Sequence, residues 1–156
     1  MKNKSEDLTS FKDSNSFLLA GIAHHLALYR NRLYEPHGIT GKQAAILTFL
    51  CFNKGKEITQ HDIEEEFNLR PSTINSALNY LEAGGFILRT TSKTDARAKI
   101  VTETQKAHNL FEVILNERKM EEKLIIQGFS SAEQVQLHDF LHRVINNIIE
   151  ARDGNS

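Results

Sequence analysis

The chain has a single cysteine, Cys51. An internal disulfide is therefore excluded, and a reducing compartment suits the protein. No apolar run approaches the ~18 residues of a membrane-spanning helix. The longest, Ile46 to Phe52, contains Thr48 and reads as a buried helix. The first sixteen residues, MKNKSEDLTSFKDSNS, lack the apolar stretch of a secretory signal, so a cytoplasmic location is expected. Charge of one sign is also missing: the formal net charge is −1, which gives the whole chain no pull toward a polyanion. There is no glycine-rich phosphate loop, no nucleophile elbow and no carboxylate pair with a defined partner. Catalysis thus has no visible machinery, and the protein is expected not to be an enzyme and to need no cofactor.

What is present is mostly helix. At 156 residues and 40% hydrophobic, the chain suits one domain, or one with helical extensions. After a polar tail over residues 1–15, Leu18, Leu19, Ile22, Ala23, Leu26, Tyr29 and Leu33 recur at helical spacing. Pro36 and Gly38 end this first helix. Thr40 followed by Gln43 forms a capping box for a second helix, almost wholly apolar to about Asn53 and so central. Thr59 caps a short third helix, Gln60 to Phe67. A tight turn, Asn68-Leu69-Arg70, leads to Pro71 at the first position of a fourth helix, which Gly84-Gly85 ends. Short strands follow at Phe86–Arg89 and Ile100–Thr102. Thr104 opens a fifth helix to about Gln127, and Ser130 with Glu133 caps a sixth carrying Leu137, Phe140, Leu141, Val144, Ile145, Ile148 and Ile149 on one face.

The fourth helix has two faces. Ile74, Leu78 and Leu81 are set to be buried, while Ser72, Thr73, Asn75, Ser76 and Asn79 form a row of short hydrogen-bonding side chains. The hairpin is locally basic: Arg89, Lys93, Arg97 and Lys99 against Asp95 give +3, whereas Asp62, Glu64, Glu65 and Glu66 make a −4 cluster on the third helix, read as a solvated face. A short helix, a tight turn, a second helix with a polar face and a basic hairpin make a winged helix-turn-helix. Such a helix fits a DNA major groove about 12 Å wide, where Asn can pair with both polar atoms on the adenine edge. A cation at the hairpin tip suits a narrow minor groove. Arg97 is that probe, and Asp95 is expected to orient its guanidinium. The fourth helix has no Lys or Arg, so Arg70, Arg89, Lys93, Arg97 and Lys99 must supply most of the affinity, with marked salt dependence.

From Leu69 through Ala107 the sequence resembles the MarR (multiple antibiotic resistance regulator) family of bacterial transcription factors. Leu81-Glu82, Gly85, Arg89, Asp95, Arg97 and Thr104 match the family pattern by spacing, whereas Glu103 stands for its usual Leu and Ala107 for its usual Gly. With the helix order, the resemblance extends over about residues 16–150. It implies a mainly α fold with a β-hairpin wing: a winged helix-turn-helix at 39–103 and a helical dimerisation region at 16–38 and 104–151. It also implies a homodimer, double-stranded DNA as partner, and a pocket for a small aromatic or anionic effector lined by the first, second and fifth helices. His25, Tyr29, Phe49, Phe52 and Phe111 are the candidates there, with plain core as their other reading. The apolar terminal helices independently exceed what one small winged domain can cover, and a two-fold dimer reads a palindrome with half-sites about one DNA turn apart.

Two other features have bland readings. Cys51, in the apolar second helix, reads as a small hydrophobe rather than a redox sensor. His24, His25, His37 and the His108/Glu112 pair make no defined ligand set, and the zinc-sensing branch of the family has Glu-His where Ala44-Ala45 follows Gln43 here; no metal is expected. A ligand-responsive repressor is the leading reading. A helical interaction module that does not use DNA, or a metal-responsive regulator, remain the alternatives.

Overall fold

The structure, a computed structural model, describes residues 11–92, 95 and 97–154. The expected tail therefore lies mostly outside the described residues. The chain divides into two compact units, one up to Leu115 and one from Asn116.

The first unit begins with α1, Asn15–Tyr34, and a short 3-10 turn, Glu35–His37. The Ser14 hydroxyl caps α1 by accepting the Phe17 N–H at 3.3 Å. Then come α2 (Gly41–Phe52), α3 (Gln60–Phe67) and α4 (Pro71–Ala83). The Thr40–Gln43 capping box forms, with bonds of 2.8 and 3.3 Å. Thr59 also makes a full box, because Asp62 returns a 2.7 Å bond to its backbone N–H. Asn68, at φ 46, ends α3 in the left-handed region that Asn tolerates better than most residues. Leu47, Leu50, Ile63, Ile74, Leu78, Leu81, Ile87 and Val101 are fully or almost fully buried together, and Ala107, Leu110 and Ile114 close this core. As expected, α2 is central; it touches α1, α4 and the hairpin. Its last residue, Phe52, is 67% exposed all the same.

Gly85, at φ 72, reverses the chain after α4. The Phe86 N–H then donates to Leu81 O at 2.9 Å, so the strand that follows returns alongside α4. Strand β1 (Ile87–Thr91) pairs antiparallel with β2 (Lys99–Glu103), Arg89 facing Val101. The pairing reaches further toward the tip than the apolar residues alone indicated, because Thr90 and Thr91, polar but β-branched, suit a strand. A third segment joins it: Val101 N–H donates to Ile58 O at 2.8 Å, and Thr59 forms a bridge to Ile100. The wing is thereby tied to the start of α3. At its other end Thr104 donates its hydroxyl to Gly85 O (2.7 Å) and its N–H to Phe86 O (3.0 Å). This clasp holds the junction where Glu103 and Ala107 depart from the family pattern.

Helix α5, Gln105–Ile125, starts in the first unit and ends in the second. In the second unit Gly128, at φ 86, follows it, and Ser130 with Glu133 forms the expected capping box (2.8 and 3.4 Å) at the head of α6, Ser131–Asp153. No described residue of α6 is buried, and Phe140, Leu141, Ile145, Ile148 and Ile149 are exposed.

Candidate nucleic-acid interface

Helix α4 buries Ile74, Ala77, Leu78 and Leu81 and leaves Ser72, Asn75, Ser76 and Asn79 exposed, with Thr73 half-buried. The sequence division of its faces holds. Arg70 is exposed at the N-cap. The Ser76 hydroxyl donates to Ser72 O at 2.9 Å, so toward a ligand it is mainly an acceptor. Tyr80, 54% exposed, extends the same row; its spacing of eight from Ser72 is the signal that reading only small polar residues passed over.

Arg89 does not stand free beside this face. Its guanidinium makes four hydrogen bonds: Nε and Nη2 to Glu82 Oε2 (3.0 and 2.6 Å), Nη2 to Asn79 Oδ1 (2.6 Å) and Nη1 to Asn75 Oδ1 (3.2 Å). Its backbone N–H also donates to Glu82 Oε1 at 3.2 Å. Three residues read separately from the sequence, Asn75, Asn79 and Arg89, are thus one network. Hydrogen bonds from Arg89 hold the Glu82 carboxyl below the usual carboxylate range. Both carboxamide oxygens point at the guanidinium, which leaves the NH2 groups as the donors available to a partner.

In the wing, the Lys99 ammonium donates to Thr91 Oγ1 at 2.8 Å. Asp95 and Arg97 are both exposed. The Asp95 carboxylate accepts the Arg97 backbone N–H at 2.9 Å, and Ala98 N–H donates to Asp95 O at 3.0 Å. The brace expected of Asp95 therefore acts on the turn rather than on the guanidinium. A carboxylate two residues back reaches the i+2 amide with little strain, as in an Asx turn, and no ion pair joins the two side chains. Lys93 lies outside the described residues. Arg97 and Lys99 share a cleft of about 320 Å³ with His61 and Glu64, so part of the acidic run on α3 faces the wing base instead of open solvent.

The effector candidates fall into separate contacts. Phe52 meets Phe111 edge-on at 5.2 Å, and Phe49 meets Phe67 at 6.0 Å. His25 is exposed beside His24, and Tyr29 is half-buried in α1. A larger cleft, about 720 Å³, is lined by Leu28, Arg32, Glu35, Ile39, Gln43 and Tyr80, among others. It reaches α4 itself, which the sequence did not indicate.

Burial, reinforced by Glu103, pushes the Cys51 thiol up to about 11, so little thiolate exists near neutrality. His108 pairs with Glu103 at 3.3 Å. Among the described residues no group of three or more His, Cys, Asp or Glu is placed to hold a metal ion, and no helix is long and apolar enough to cross a membrane.

Residues 37–98 match the sequence profile of the MarR family. The HTH-type transcriptional regulator YybA of Bacillus subtilis, itself uncharacterized, is 26% identical over 127 residues, covering 81% of this chain and 83% of that protein. The crystal structure of the transcription regulator MarR from Oenococcus oeni is 28% identical, with a TM-score of 0.69 over 85% of this chain and 99% of that one. The MepR–DNA complex of S. aureus superposes with a TM-score of 0.82 at 23% identity, over 86% and 98% of the two chains, a likeness of fold.

Proposed function

We propose that the chain, whose residues 37–98 match the MarR family profile, is a MarR-type, DNA-binding, ligand-responsive repressor acting as a homodimer on a palindromic operator in the cytoplasm. The observation that carries this reading is the exposed row Ser72, Asn75, Ser76 and Asn79 on α4 beside a hairpin bearing Arg97 and Lys99. The row enters the major groove. Arg70 and Lys99, with Lys93, contact phosphates, and Arg97 reaches the flanking minor groove. Thr73 lies at the edge of the row, and Arg89 acts from beneath it. Asp95 fixes the turn that presents Arg97. The role is binding, not catalysis.

The exposed apolar side chains of α1 (Phe17, Leu18, Ile22) and of α6 support the homodimer, because apolar surface on this scale is normally covered in a soluble protein. Residues 16–38 and 104–151 then form the dimerisation region around the DNA-binding residues 39–103. A small aromatic or anionic effector shifts the spacing of the two α4 helices and releases the operator. Two sets of residues stand for its site: His25, Tyr29, Phe49, Phe52 and Phe111, and the cleft lined by Arg32 and Tyr80. Arg32 and Glu35 give the wall of that cleft one charge of each sign, and Tyr80 links it to the reading helix.

A fluorescence-anisotropy titration against DNA from the gene's own upstream region tests the proposal. Binding at physiological salt should be at least a hundredfold tighter than to random DNA of equal length. Equal affinities would overturn it.

A further inference from the structure

Helix α6 carries a pair of histidines one turn apart, His138 and His142, which the DNA-binding reading does not use. Their Nε2 atoms are hydrogen-bonded to each other at 3.2 Å, with ring centroids at 4.4 Å; a bound ion would take the place of the proton between them. The His138 side chain is 70% exposed, and His142 is also exposed. Positions four apart share one helix face, so both rings lean over the same turn.

The separation has a chemical meaning. Two Zn–N bonds of about 2.0–2.1 Å, opened by an angle between about 100° and the tetrahedral value, hold their nitrogens about 3.1–3.4 Å apart. The two Nε2 atoms already stand at that span, and both rings present the same nitrogen to the gap. On the other side of His138, Nδ1 lies 3.7 Å from Asp139 Oδ1, beyond hydrogen-bond distance; a small side-chain rotation would bring that carboxylate behind a metal-bound imidazole, its usual place in such sites. Two histidines at i and i+4 on a helix are also the ligand spacing of known zinc sites.

We propose that His138 and His142 form a two-point chelating site for a divalent transition ion of the zinc class on the exposed face of α6. Imidazole nitrogens suit zinc, nickel and copper and disfavour magnesium and calcium. Two protein ligands leave the remaining coordination positions to water, so the ion exchanges readily and binds far more weakly than in a closed four-ligand structural site. The ion staples consecutive turns of α6 and stabilises the folded helix by mass action.

Calorimetric titration of the full chain, purified without an affinity tag and stripped with a chelator, with zinc chloride alone tests this. One zinc per chain should bind in the micromolar range. His138→Ala and His142→Ala should each lower the affinity at least tenfold, while His24→Ala should leave it unaltered. Zinc should raise the thermal midpoint of the wild type and not that of His142→Ala. Equal binding by the wild type and His142→Ala overturns the site, as does loss of binding in His24→Ala. Both readouts are made without DNA, so neither depends on operator binding.

Discussion

Arg97→Ala should weaken operator binding and make the log–log salt dependence shallower by about two units, one for each protomer of the proposed dimer; anisotropy titrations from low to physiological salt measure this, and an unchanged slope would remove the wing tip from the interface. Arg89 carries the same charge but a different duty. Its four bonds to Glu82, Asn75 and Asn79 fix the two asparagines on the exposed face of α4. Because the folded Glu82 carboxyl sits below its ordinary range, this network contributes fully above the unfolded carboxylate pKa of about 4.3. The contribution is lost as pH falls through the lower folded value. Urea midpoints followed from neutral to acid pH should therefore fall more steeply for the wild type than for Glu82→Gln. Parallel curves would show that Glu82 does not report the network. Residue roles were only half legible in the sequence. That Asn75 and Asn79 share an exposed face of α4 and that Arg89 lies in the hairpin follows from type and spacing. That they bond to one another does not, because it depends on the reversal at Gly85, which lays β1 beside α4.

Elements were more legible. The boxes at Thr40 and Ser130 are local patterns whose partners stand three residues apart, and both form as read. The buried stripe of α4 follows from helical period alone. Leu78→Ala, at a fully buried position, should destabilise the fold by about 2–5 kcal/mol, as chemical denaturation would show; a loss under about 1 kcal/mol would mean that α4 is not anchored through this residue. The pairing of Ile58 and Thr59 with β2 stayed hidden, since two residues carry no alternation and their partners are some forty positions on. The His138–His142 spacing was legible throughout, but sits on a helix whose apolar face drew the reading elsewhere.

At the scale of the whole molecule, the exposed apolar side chains of α1 and α6 test the proposed homodimer. On that proposal, replacing Phe140 and Ile148, 56% and 62% exposed, by aspartate together should give a monomer in sedimentation velocity. Operator affinity should fall by at least tenfold, because two half-sites would no longer be held at once. A doubly substituted protein that remains dimeric would place the dimer contact elsewhere.

The charge layout of the first unit also bears on how such a protein finds its site. Helix α4 carries no Lys or Arg, and part of the acidic run on α3 stands beside the wing base. Attraction to arbitrary DNA comes from sequence-independent phosphate contacts, and here few side chains supply them. On the proposed binding mode, residence on the wrong sequence should therefore be brief, and the search should proceed by frequent release and recapture more than by long sliding.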